Sequence, residues 1–175
     1  MLPCVVPLCW AQDSGRGHIP DSLTLDTLFR GPHYTFTGNE DPGLLASIFR
    51  HTYELGKQDA GELANPTALC LSIGRDSVVD AGDSVLDLLA THKPPVRPTS
   101  ACKTSMNGRY AVTDTLTGKL AWSLAISALH YLNDSTVAAY SSFYVGPLFA
   151  AGWTCTAARS GTDWTIKSCT MRWIS

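Results

Sequence analysis

The chain has 175 residues, of which 45% are apolar and 16% charged, with a formal net charge of −2. That length supports one domain with a real core. The even charge, without any block of Lys or Arg, excludes the basic footprint of a nucleic-acid binder. Beyond the first residues no stretch approaches the roughly 18 apolar residues of a transmembrane helix, so no transmembrane segment is expected.

Residues 1–11 are uncharged and largely apolar, and the chain turns polar at Gln12-Asp13-Ser14. Cys9 and Ala11 are small enough to flank a cleavage after Ala11, so 1–11 reads as part of a signal peptide. Residues 12–20 are Gly-rich and read as a flexible lead-in. Leu23, Leu25, Leu28 and Phe29 then suggest a short amphipathic helix over 21–30, ended by Gly31-Pro32. Asp41-Pro42 is a helix start, with Asp as the cap and Pro in the first turn. Leu44, Leu45, Ile48, Phe49 and Thr52 recur behind it at helical spacing and predict a helix to about Gln58.

Thr67 to Ile73 is a short apolar run ending at Gly74 and reads as a strand that carries Cys70. Ser84 and Asp87 resemble a capping pair for a helix over 84–92, and the prolines at 94, 95 and 98 force an extended path after it. From Arg109 on, the pattern is an antiparallel meander. Strands are expected over 109–114, 119–131 and 136–145, with turns at Thr117-Gly118, Asn133-Asp134-Ser135 and Gly146-Pro147. Leu120, Trp122, Leu124, Ile126 and Ala128 are expected on one face of the long strand. The chain closes in a β-hairpin turning near Ser160–Asp163.

Removal of the leader leaves Cys70, Cys102, Cys155 and Cys169, an even set that allows three pairings. An odd hairpin loop such as Gly161–Asp163 places Cys155 opposite Cys169 and Trp153 opposite Met171, close enough for a disulfide. An even loop sends the two sulfurs to opposite faces. Cys70 with Cys102 then follows by elimination. Disulfides place the protein in an oxidising compartment, exported to the periplasm or the extracellular space.

Helices first and a meander last is an α+β pattern: N-terminal helices on a curved antiparallel sheet, in one domain over 21–175. This element order resembles the cystatin-like and NTF2-like folds, and the resemblance implies a cavity between helices and sheet. Tyr53 and its helix, Cys70-Leu71-Ser72-Ile73, Pro95 to Cys102, Phe143 to Leu148 and Met171 to Ser175 also resemble a loose group of short exported bacterial proteins, which brings no activity with it.

No nucleophile motif, phosphate loop or metal-ligand spacing occurs, and no cofactor is implied. His51 and Glu54 share a helix face. His92 suits the end of a helix, and the acids at 76, 80, 83 and 87 suit turns and caps. Trp122, Tyr140 and Tyr144, with Ser123 as a polar group, are candidates to line a ligand pocket. Arg97, held between prolines, is a candidate to fork onto a carboxylate. The functional expectation is a non-enzymatic exported domain that binds a partner protein or a small apolar ligand. The alternatives are a small NTF2-like enzyme with an acid or Tyr in the cavity, and an inhibitor or immunity-type protein using a loop such as 93–100.

Overall fold

A computed structural model describes residue 36 and residues 39–60, 65–74, 78–105 and 112–175. All of them fall within one compact unit, His33–Ser175. The expected leader, lead-in, helix over 21–30 and start of the strand at 109 lie outside the described residues.

The main helix, α1 (Pro42–Asp59), begins as its sequence predicts. Asp41 caps it and accepts from Gly43 N at 2.9 Å and Leu44 N at 3.3 Å. The next elements are β1 (Ala68–Ile73), β2 (Val79–Asp80), the short α2 (Asp83–Leu88) and β3 (Val96–Pro98). The small β4 (Cys102–Thr104) and β5 (Val112–Asp114) follow. Four long strands complete the chain: β6 (Ala121–Asn133), β7 (Thr136–Gly146), β8 (Phe149–Ser160) and β9 (Asp163–Ile174).

The α+β expectation of N-terminal helices packed on a curved sheet is corrected here. The described chain is mostly β, 53% of it strand, built on one extended sheet with a single long helix. The cystatin-like and NTF2-like comparison falls with it. Two physical causes stand out. The second helix is one and a half turns long and starts from Gly82 without a side-chain cap, so the Ser84–Asp87 pair does not nucleate it. And β1 joins the meander: it runs parallel to β6 on one edge, and β3 and β2 share its other edge. The sheet order is β2-β1-β6-β7-β8-β9, with β3 also on β1. All six residues of β1 are buried, as a central strand covered on both faces requires.

The meander forms over the expected segments, with bulges at places local pattern does not mark. Ile126 pairs with Ser141 but Ala128 pairs with Tyr140, so Ser127 is an extra residue. Past it Leu129, not Ala128, holds the core-facing position. The β8–β9 turn has two residues, and Gly161 takes φ 63° as its first central residue. That even loop alone would separate Cys155 from Cys169. A bulge at Lys167 restores the register: Ala157 pairs with Ile166, then Thr156 with Ser168 and Cys155 with Cys169. Both disulfides form, Cys155–Cys169 with Cα atoms 4.1 Å apart and Cys70–Cys102 with Cα atoms 6.2 Å apart.

The core lies between α1 and one face of the sheet. Leu44, Leu45, Ile48, Phe49 and Thr52 are buried, against Trp122, Leu124, Ile126 and Phe143. Leu120, expected among them, is only half-buried. The rings of Trp122 and Phe143 stack at 5.3 Å, and those of Phe143 and Trp153 at 5.6 Å. Thr52 Oγ1 donates to Ser141 Oγ at 2.8 Å, which satisfies the polar pair inside this core. Among the described residues no helix is long and apolar enough to cross a membrane.

Candidate functional site

The candidate residues separate by strand parity. Trp122 is fully buried on the α1 side. Arg97, Ser123, Tyr144 and Tyr140 lie on the opposite face. One row of paired positions runs Arg97–Cys70–Ser123–Tyr144–Ala150. The next runs Ser72–Ala125–Ser142–Gly152–Trp173, and Tyr140 pairs with Thr154 in the row after it. The structure therefore brings Ser123, Tyr140 and Tyr144 to one surface and puts Trp122 beneath it. Arg97 sits at the far side of that surface, where its guanidinium donates to Val96 O at 3.2 Å.

Three features shape this second face. The β4–β5 hairpin covers one corner, where Cys70, Ala68, Ala121 and Val112 are buried together with Cys102 and Tyr144 packed against them. The Cys70–Cys102 disulfide joins that hairpin to β1. At the other end Trp173 Nε1 donates to the Tyr140 hydroxyl, directly above Gly152. A Cβ at Gly152 would collide with both groups, so only glycine admits the two rings this close to the sheet. Beside them Arg172 Nε donates to Thr154 Oγ1 at 2.9 Å. Sequence reasoning left Trp173 and Gly152 out of the site. The register set by the disulfide places Gly152 opposite Arg172, and a bulge there brings Trp173 across instead.

The other titratable groups have local duties. Asp114 is buried and accepts from Leu116 N at 3.1 Å and Thr117 Oγ1 at 2.9 Å, holding the β5–β6 turn. Asp80 accepts from Ser100 N and Ser100 Oγ, both at 2.7 Å. His92 Nδ1 lies 3.0 Å from Pro94 O, with its ring edge-on to Tyr53. Burial pushes the Tyr53 hydroxyl above its ordinary pKa, Lys57 opposes this and Glu54 adds to it. Glu54 itself pairs with Lys57 at 3.4 Å, so His51 and Glu54 share a face without forming an acid–base pair. Among the described residues no three His, Cys, Asp or Glu side chains converge as a metal site would need.

No protein-family model, curated protein or solved structure matches the chain.

Proposed function

We propose that this chain is an exported, non-enzymatic binding domain, and that it meets a macromolecular partner on the sheet face away from α1. The observation that carries the reading is the division of the sheet. One face is committed to α1, while the other carries Tyr140, Tyr144, Ser123 and Trp173, and among the described residues the β4–β5 hairpin lies over one corner of it. A small apolar ligand would need the helix–sheet interior, and there Trp122, Phe143 and Trp153 stack on one another beneath Phe49. The inhibitor reading needs a projecting rigid loop, whereas Val96–Pro98 is a strand of the sheet, half-buried at each residue. Two disulfides fit an oxidising compartment outside the cytosol.

A photo-crosslinking amino acid at Ser142, on the open face, is the direct test in the cell that makes the protein. Adducts are expected from that position and not from Glu54, exposed on α1. The reverse pattern would overturn the reading. So would a reproducible ester, glycoside, phosphate or ketosteroid turnover lost on changing His51, Asp114 or Arg97.

A further inference from the structure

We propose that two copies of this chain join along β9, edge to edge, into one continuous sheet. The pairing goes beyond the binding-domain reading and does not use the sheet face away from α1. The two edges of the sheet differ. One ends in β2 and β3, which are short, and β3 carries Pro98. Short strands and proline keep an edge from pairing. The other edge is β9, which is long and free of proline. Among the described residues no strand pairs with its outer side. Met171, Trp173 and Ile174 on this strand are 45%, 41% and 61% exposed.

Backbone geometry shows which residues of β9 offer hydrogen bonds outward. Cys155 and Cys169 have Cα atoms 4.1 Å apart. That is the close spacing of an antiparallel pair without mutual hydrogen bonds, about 4.5 Å against about 5.5 Å for a bonded pair. The N–H and C=O of Cys169 therefore point away from β8, and so do those of Met171 two residues on. Ala150 and Ser175 exchange both of their backbone hydrogen bonds, so Ile174 beside Ser175 also points outward. Alternation from the Ser160–Asp163 closing pair turns Trp164 and Ile166 outward too. The Trp164 carbonyl is already taken by Ser47 Oγ. Ile166, Cys169, Met171 and Ile174 are left, and the extra residues Lys167 and Arg172 space them three, two and three apart.

That spacing reads the same in both directions, so the edge is complementary to itself. A two-fold axis at Thr170 sets Ile166 against Ile174 of the second copy, and Cys169 against Met171. Each bulge then meets the other: Lys167 and Ser168 face Trp173 and Arg172 of the second copy. A lysine blunts an edge when it meets another lysine, but here it meets an exposed indole, which attracts a cation. Thr170 meets its own counterpart, and Thr–Thr is a favourable cross-strand pair. Trp164 falls outside the paired segment, so the Ser47 bond is undisturbed.

The test is sedimentation velocity on the oxidised full chain, in a concentration series up to about 100 μM, because one strand per copy makes a small interface. A monomer–dimer equilibrium is expected. Proline at 171 removes an outward N–H that β8 does not use. Met171→Pro should therefore weaken dimerisation tenfold or more with the far-UV circular dichroism unaltered. If it unfolds the chain, Met171→Lys, which sets two lysines beside the axis, carries the test with the same expectation. Leu116→Lys, at an exposed turn away from β9, should leave the equilibrium unchanged. Thr170→Cys should form a disulfide between copies, and Ser168→Cys should not. A monomer throughout the series, a dimer indifferent to both Met171 variants, or a Thr170→Cys dimer that stays unlinked would overturn the proposal. Each of these would leave the binding-domain reading intact, since crosslinking at Ser142 tests that separately.

Discussion

Asp41 joins the helix to the hairpin. One carboxylate oxygen caps α1, and the other accepts from Trp164 Nε1 at 2.8 Å. Ser47 Oγ donates to Trp164 O at 3.0 Å, and Arg159 lies over the indole. Burial raises the Asp41 pKa, but the hydrogen bonds from Trp164, Leu44 and Gly43 and the charge of Arg159 outweigh it and leave the group below its ordinary 3.8. A depressed carboxyl contributes stability above its unfolded pKa and loses it as the pH falls through the folded value. Asp41→Ala should therefore cost about 1–2 kcal/mol at neutral pH, and denaturant midpoints should show that difference shrinking below about pH 4. Thr156 Oγ1 is buried without a hydrogen-bond partner among the described residues. Thr156→Val keeps the shape and removes the orphan, so it should stabilise by roughly 1 kcal/mol in the same assay. Gly56 behaves in the opposite way. A methyl there would sit 3.0 Å from Phe143 and 3.1 Å from Trp122. Gly56→Ala should lose the usual helix-propensity gain and destabilise by about 1–2 kcal/mol.

α1 was legible because capping and apolar periodicity are local. Asp41-Pro42 and the stripe from Leu44 to Thr52 name both its start and its buried face. Phe49 is 1% exposed, so Phe49→Ala should cost about 3–5 kcal/mol in chemical denaturation. The terminal hairpin was legible only in part. Its two strands follow from the sequence, but the Cys155–Cys169 pairing rests there on an odd loop; the loop is even, and the bulge at Lys167 is what brings the two cysteines to one face. Deleting Lys167 should set the two cysteines one position out of register and leave free thiols on non-reducing peptide mapping. The intact bridge spans 14 residues and should contribute roughly 3 kcal/mol, read from the midpoint of a double Cys→Ser variant.

At the scale of the whole molecule, the sequence by itself determined the elements whose causes lie within a few residues. These are the capped helix, the turns at Gly118, Asn133–Ser135 and Gly161, the long alternating strands, and a cysteine set that forms two bridges. Only the tertiary structure decided how they join. β1 lies parallel to β6, fifty-three positions along in register, and β3 lies parallel to β1. No local signal marks such pairings, because strand partners are chosen by burial across the whole sheet. The same holds for the site. Composition marks Trp122, Tyr140 and Tyr144 alike as large aromatics, yet strand parity buries the first in the core and turns the other two outward. Trp173 reaches Tyr140 through a bulge and a glycine on another strand. A side chain's face is set by register, and register here depends on single extra residues whose effect appears only when the strands are paired.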